Sequence, residues 1–180
     1  YGWLFEALEK GETVTEWKCS QKIAEFRAQQ KHYVSESFTA IIAYRENAAM
    51  MHYAPLPQAC STIERENMLL NDSGGQYLEG TTDTTRTFAV KRMPEGLPEI
   101  YGIVKAANQA AFEAAKPGTV CEDVDKAARS VIEKAGYGPY FTHRLGHGLG
   151  LDVHEHPYLS AGNKHVIEAG NVFSDEPGIY

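Results

Sequence analysis

The sequence lacks the features that mark membrane proteins and nucleic-acid binders. No apolar run approaches the ~18 to 20 residues that a membrane-spanning helix needs. Lysine and arginine number 17 against 24 aspartates and glutamates, which gives a formal net charge of −7. The basic residues form no stripe, and nucleic-acid binding depends on clustered positive charge. We therefore expect neither a nucleic-acid partner nor a membrane.

Cysteine is also scarce. The three cysteines, Cys19, Cys60 and Cys121, are widely spaced, and none belongs to a Cys-x-x-Cys pair. This pattern indicates neither a disulfide framework nor a structural zinc site. Reduced thiols are typical of cytosolic proteins, so we expect a cytoplasmic protein.

The order of predicted elements defines the fold class. Helices come first, then strands, and the same order repeats in the second half. The predicted helices cover 1–10, 15–33, 100–116 and 119–135, the last opened by a Thr119-x-x-Glu122 capping box, and the predicted strands cover 38–44, 48–53, 68–73, 76–79 and 83–90. This order predicts an α+β fold with an approximate internal duplication, not the βαβ alternation of a parallel sheet.

Two aspartates stand on strands predicted to be antiparallel neighbours. Asp72 closes an apolar run before Gly74-Gly75, and Asp83 opens a threonine-rich run. An acid facing a sheet interior costs several kcal/mol, roughly, unless positive charge meets it. A divalent cation between the two carboxylates would supply that charge. The alternative is that both aspartates are exposed turn residues.

A second cluster of potential ligands lies between residues 142 and 158. It contains four histidines: His143, His147, His154 and His156. His143 and His147 have the spacing of a helical zinc motif, but three nearby glycines oppose a helix. We expect Asp152 and His154 to lie on one strand. A single histidine here would more often be structural, whereas four together favour a functional site.

Glu176 completes a set of hard ligands. Pro177 pushes Glu176 into an extended conformation, so its carboxylate is fixed at a strand end, with Asp175 facing the other way. Together, Asp72, Asp83, His147 and Glu176 offer three carboxylates and one imidazole. Such a set could hold two metal ions that share a bridging carboxylate and activate a water molecule.

At this point the residues resemble a known family. The motifs NAAMMHYAP, NDSGGQY, GTTDTTRTF, HRLGHGLGLDVHE and DEPGIY, in this order and spacing, are similar to those of the M24 metallopeptidases. That family includes aminopeptidase P, prolidase, creatinase and methionine aminopeptidase, and it has the pita-bread fold. The resemblance covers the whole chain. The first half looks most like aminopeptidase P, and the second half also resembles shorter prolidase-like members.

The resemblance implies a role for each ligand candidate. Asp72 would bind one metal, Asp83 would bridge both, and His147 and Glu176 would complete the other. The implied catalytic residues are His52 in the substrate pocket, His143 beside the tetrahedral centre and His154 at the scissile bond. The implied cofactors are two divalent ions, Mn²⁺ in most members and Co²⁺ or Zn²⁺ in others.

The implied function is that of an Xaa-Pro aminopeptidase, whose peptide substrate carries proline at the second position. The alternative within the family is a prolidase that cleaves Xaa-Pro dipeptides. An alternative of another class is a catalytically impaired pita-bread domain that binds peptides or proteins. The full-length protein could also form a homodimer.

One departure from the family concerns the ends of the chain. The family has a fifth ligand, a bridging glutamate on a strand after the DEPG turn, and usually a creatinase-like domain before the catalytic one. We therefore expect residues 1–180 to be a catalytic domain truncated at its C-terminus. We also expect this piece alone to bind the second metal weakly.

Overall fold

The computed structural model describes residues 1–180 and divides them into two compact units, 1–95 and 96–180. Each unit combines helices with antiparallel strands, and each has its own buried apolar cluster. The predicted α+β class is confirmed. None of the helices is both long and apolar enough to cross a membrane.

The first unit packs two helices against short antiparallel strands. The elements are α1 (Gly2–Glu9), α2 (Glu16–Ala28), β1 (Tyr33–Glu36), β2 (Ile41–Tyr44), a 3-10 helix (Arg45–Ala49), β3 (Met68–Ser73), β4 (Gly75–Tyr77), β5 (Gly80–Thr81) and β6 (Thr84–Ala89). The strand orders are β1-β4-β5 in one sheet and β2-β3-β6 in the other.

Strand β3 shows the two-residue alternation of a strand with one core face. Leu69, Asn71 and Ser73 are buried, while the residues between them are half-buried. Because side chains alternate across a strand, Asp72 lies on the face opposite Leu69. The core side of this unit is completed by side chains from α1 and β2, among them Leu4 and Ile42.

The second unit contains two long helices and one short hairpin. Its elements are α3 (Leu97–Ala114), α4 (Cys121–Lys134), a 3-10 helix (Gly138–Tyr140), β7 (Gly146–Gly148) and β8 (Glu155–Leu159). The buried face of α4 repeats every four residues at Val124, Ala128 and Ile132, which is the spacing of one helix face. That face belongs to the same cluster as Leu145 and Leu159.

A repeated arrangement supports the predicted duplication. The sequence Thr-Val-x-Glu occurs at 13–16 and again at 119–122, at the start of α2 and α4. In the first unit Ile63 donates its amide to the carbonyl of Val14 at 2.8 Å. In the second, Ile167 donates to the carbonyl of Thr119 at 2.9 Å. Both isoleucines are buried. In each unit, therefore, the backbone of a buried isoleucine binds the residues that directly precede the helix.

The predicted strand over 48–53 is wrong. The chain forms the 3-10 helix Arg45–Ala49 and then a turn, in which His52 has φ +57°. That conformation cannot continue a strand. The side chain of Asn47 donates to the buried carboxylate of Glu16 at 3.0 Å. This bond holds the backbone in a compact turn although the local residues are apolar.

Two helix boundaries also differ from prediction. Helix α2 ends at Ala28, and Tyr33 belongs to β1, where it pairs with Tyr77. His32, immediately before that strand, has φ +65°, which no helix allows. The predicted capping box of α4 does not form, because Val120 occupies the N-cap and Glu122 pairs with Lys164 instead.

The junction between β3 and β4 requires glycine. A Cβ atom on Gly74 would lie 1.8 Å from the carbonyl oxygen of Thr82 and 2.2 Å from Ser37 Oγ. We expect Gly74→Ala to lower the free energy of unfolding by about 3 kcal/mol, because the backbone must shift to relieve the overlap. Gly102→Ala, inside α3 with open space around it, should instead stabilise by about 1 kcal/mol. Denaturant unfolding of both variants checks this, and equal stability of the two would contradict it.

Candidate metal centre

Asp72 and Asp83 come from neighbouring strands of the first unit. Strand β3 pairs antiparallel with β6, with Asp72 opposite Thr85 and Ser73 opposite Thr84. Asp83 directly precedes β6, one residue beyond the last pair. Both aspartates are half-buried. The predicted antiparallel pairing is confirmed, and it places two oxygen donors at one end of the same two-stranded ladder.

The second unit brings His147 and Glu176 together. His147 lies in β7 with its side chain 4% exposed, and its Nε2 atom is 3.1 Å from Glu176 Oε1. The hydroxyl of Ser174 donates to the same carboxylate oxygen at 2.7 Å and accepts the backbone amide of His147 at 3.0 Å. Ser174 thus connects the strand that carries the imidazole to the segment that carries the carboxylate.

The hydrogen bond at the other ring nitrogen defines what His147 can do. Its Nδ1 atom lies 3.1 Å from the carbonyl oxygen of Gly148. A carbonyl only accepts, so Nδ1 must carry the proton, and a neutral ring then presents a lone pair at Nε2. That lone pair faces the Glu176 carboxylate, which is also an acceptor. A cation between them fits this donor set, since a histidine fixed through Nδ1 to a carbonyl is a typical metal ligand.

Two glycines allow this close approach. A Cβ atom on Gly146 would lie 2.0 Å from the carbonyl oxygen of Ser174, and one on Gly148 would lie 2.3 Å from that of His156. Any side chain at these positions would push the neighbouring segments away from His147. Gly146 and Gly148, which oppose a helix in the sequence, are therefore also needed for the close packing around His147.

An ion pair between the half-buried Arg129 and the buried Asp125 holds the segment before His147. The guanidinium of Arg129 donates to both oxygens of Asp125, at 2.9 and 3.0 Å, and to the carbonyls of Phe141 and His143, each at 2.9 Å. Asp125 also accepts the amide of Leu145 at 3.0 Å. The hydrogen bond that Arg129 donates to Asp125 raises the pKa of the guanidinium. The sequence analysis did not identify this pair, although its i, i+4 spacing on a helix is a recognisable signal.

The three predicted catalytic histidines have different surroundings. The ring of His154 contacts that of His147 edge to face, with centroids 4.2 Å apart, but His154 is exposed whereas His147 is buried. His143 is half-buried, and its Nδ1 lies 2.7 Å from the carbonyl of Arg144. His52, in the first unit, is exposed on its turn.

The expected strand through Asp152 and His154 is wrong. Residues 151–154 form bends, and β8 begins only at Glu155. Glu155 accepts the amide of Asp152 through its side chain at 3.3 Å, which turns the backbone before the strand can start. His154 therefore reaches His147 from a bend and not from a strand.

Asp175, next to Glu176, differs from it in environment. Burial raises the pKa of Asp175 to about 6, and the side chain of Asn108 donates to its backbone carbonyl at 2.9 Å. Glu176 in contrast contacts Ser174 and His147. Of these two neighbouring acids, Glu176 is the one that the structure pairs with an imidazole.

Comparison with known proteins places the chain. The sequence profile of metallopeptidase family M24 matches residues 2–180. The chain belongs to this family. The Xaa-Pro dipeptidase of Lactobacillus helveticus is 42% identical over 176 residues, which cover 98% of this chain and 46% of that protein. The chain spans about half the length of the curated relatives it matches.

Solved structures agree with the family. A dipeptidase from Pyrococcus horikoshii matches with a TM-score of 0.86 and 39% identity, over 93% of this chain and 46% of that one. The X-prolyl aminopeptidase of Caenorhabditis elegans, described as a cytosolic enzyme with a di-nuclear active site, matches with a TM-score of 0.85 and 32% identity, over 99% of this chain and 30% of that one. The chain has the pita-bread fold of these proteins.

The ion pair between Arg129 and Asp125 yields a prediction about stability. Asp125→Ala leaves the Arg129 charge without its carboxylate and frees the amide of Leu145, so we expect a loss of about 3 kcal/mol in the free energy of unfolding. Glu25→Ala is the matched control, because Glu25 forms an exposed ion pair with Lys22 and should cost less than about 1 kcal/mol. Denaturant unfolding measures both, and a similar cost for the two variants would contradict the assignment.

Proposed function

We propose that the whole protein is a metal-dependent peptidase that hydrolyses Xaa-Pro dipeptides. The observation that carries the metal dependence is the buried imidazole of His147, held through Nδ1 and facing the carboxylate of Glu176. The substrate class rests on the relatives, among them the Xaa-Pro dipeptidases of Lactobacillus helveticus and Pyrococcus furiosus. These names favour the dipeptidase over the aminopeptidase that we first expected.

We assign the metal ligands as the sequence motifs imply. Asp72 would hold one ion, Asp83 would bridge two, and His147 with Glu176 would complete the second. Divalent ions bound there would polarise the peptide carbonyl and lower the pKa of a water molecule. Three carboxylates and one imidazole suit Mn²⁺, with Co²⁺ or Zn²⁺ as alternatives. Residues 1–180 would belong to the catalytic domain.

The three predicted catalytic histidines would act on the substrate. His154 is exposed and in ring contact with the buried His147, so it can reach a peptide that the ligand itself cannot. We assign it a hydrogen bond to the scissile region. His143 would donate to the oxygen that becomes negative in the tetrahedral intermediate, and His52 would line the pocket of the substrate.

A second candidate is the Xaa-Pro aminopeptidase. The observation that favours it is the match to the X-prolyl aminopeptidase of Caenorhabditis elegans, which covers 99% of this chain. Both candidates cleave before proline. They differ in whether the substrate may continue beyond that proline.

Metal content separates ligands from catalytic residues. Glu176→Gln should lose about one of the two bound Mn²⁺ ions, because Glu176 is assigned to one of them and an amide is a poorer ligand than a carboxylate. Asp175→Asn changes the adjacent acid in the same way and should retain the metal. His154→Ala should also retain it but lower kcat by about 100-fold, the scale of one lost donor to a developing oxyanion. Metal analysis of the dialysed full-length protein and steady-state kinetics test this. Loss of metal in His154→Ala would make that residue a ligand.

Substrate length separates the two candidate functions. We expect the full-length protein with Mn²⁺ to hydrolyse an Xaa-Pro dipeptide at least about tenfold faster, in kcat/KM, than an Xaa-Pro-Xaa tripeptide. A chelator should stop the reaction, and Mn²⁺ should restore it. Equal or faster turnover of the tripeptide would favour the aminopeptidase. Peptide binding without hydrolysis of either substrate would favour the binding module.

A further inference from the structure

The first unit contains a fully buried carboxylate that the metal site does not use. Glu16, the first residue of α2, has no exposed surface. It accepts hydrogen bonds from the amide of Tyr44 at 2.6 Å, the side chain of Asn47 at 3.0 Å, the hydroxyl of Tyr53 at 2.7 Å and the amide of Ser61 at 2.7 Å. Four donors occupy the acceptor sites of an ionised carboxylate.

These donors surround the segment that carries His52. Tyr44 and Asn47 precede it in the chain, and Tyr53 and Ser61 follow it. The backbone adds a further link, since the amide of Glu16 donates to the carbonyl of Ser61 at 3.0 Å. The carboxylate therefore fixes both ends of the 45–61 segment to the start of one helix.

Tyr53 provides the direct link to His52. It is the next residue in the chain, and its hydroxyl donates to Glu16 while accepting from Asn47 at 3.2 Å. Burial and the Glu16 carboxylate both raise the pKa of Tyr53, so its hydroxyl remains a donor. His52 itself has φ +57°. A non-glycine residue keeps such a conformation only where its surroundings impose it.

We propose that Glu16 is a positioning residue that acts through Asn47 and Tyr53 to fix the backbone of His52 for the binding of an Xaa-Pro substrate. The proposal rests on the proposed function, because His52 is assigned to the pocket of that substrate. It adds a role for residues that lie outside the metal-binding set. Glu16 would orient His52 and not contact the substrate, since its carboxylate is buried and all four of its donors belong to the protein.

Kinetics of a tyrosine pair test the proposal. Tyr53→Phe removes one hydrogen bond to a charged acceptor, so we expect KM for an Xaa-Pro dipeptide to rise about tenfold with kcat and bound metal unchanged. Tyr44→Phe is the matched control. Its hydroxyl also donates a partly buried hydrogen bond, but to the carbonyl of Glu66 at 2.6 Å, and KM should stay within about twofold of the wild-type value. Equal effects of the two variants would overturn the proposal.

A double-mutant cycle shows whether the effect passes through His52. In the His52→Ala background, Tyr53→Phe should change KM by less than about twofold, because the side chain to be positioned is gone. A tenfold effect that persists in that background would overturn the proposal.

A measurement without substrate keeps failure of the proposal apart from failure of the proposed function. In Glu16→Gln the new amide faces donors, so amide hydrogen exchange over 48–60 should become at least tenfold faster, as it should in Tyr53→Phe but not in Tyr44→Phe. If Glu16→Gln does not fold, Tyr53→Phe decides, since Tyr53 is only half-buried. Unchanged exchange in the folded variants would overturn the positioning role. A different outcome is that the variants show faster exchange but the wild-type protein does not hydrolyse Xaa-Pro peptides. That outcome would overturn the proposed function, and with it the assignment of the positioning role to substrate binding.

Discussion

Burial of negative charge is the constraint on which the histidine-bearing segments of both units depend. An ionised carboxylate without water costs several kcal/mol, roughly, unless donors replace that water. In the first unit Glu16 meets this requirement with donors from the segment that carries His52. In the second, Asp125 meets it with Arg129 and the amide of Leu145. In each unit a carboxylate on a helix can be buried only if the neighbouring segment adopts one conformation and supplies the donors. The free-energy cost of burying the carboxylate therefore keeps that segment ordered.

The proposed ligand His147 depends on this order in an indirect way. Besides its contacts with Glu176 and His154, it is held through backbone groups, namely the carbonyl of Gly148 and its own amide, which donates to Ser174. Those contacts require that the backbone before β7 enters at the right place, which Arg129 ensures by holding two carbonyls. Under the proposed assignment, a side chain outside the ligand set would therefore influence how well a metal is bound. This explains why the ligands alone do not describe the site.

The parts of the fold that could be predicted from the sequence are those whose conformation is determined by neighbouring residues in the chain. The apolar run and glycine pair around Asp72 predicted β3, and the threonine-rich run after Asp83 predicted β6, because strands need those residues locally. The segment 48–53 failed because its conformation is imposed by Glu16, more than thirty residues away in the chain. The end of α2 and the N-cap of α4 failed for a similar reason, since Tyr33 pairs with Tyr77 and Glu122 with Lys164. Local periodicity contains no information about such partners.

The distinction between local sequence motifs and distant contacts applies to function as well. The chain is similar to dipeptidases and to an aminopeptidase alike, and both proposed reactions would need the same attack on a carbonyl. Substrate length would then be determined by residues around the proposed metal site, and His52 is the one that we assign to that pocket in the first unit. Its placement depends on a tyrosine hydroxyl and a buried glutamate, not on a ligand motif. Differences in specificity between members with identical ligands are therefore expected to arise in segments such as 45–61, where one lost hydrogen bond can move a pocket residue without moving a metal.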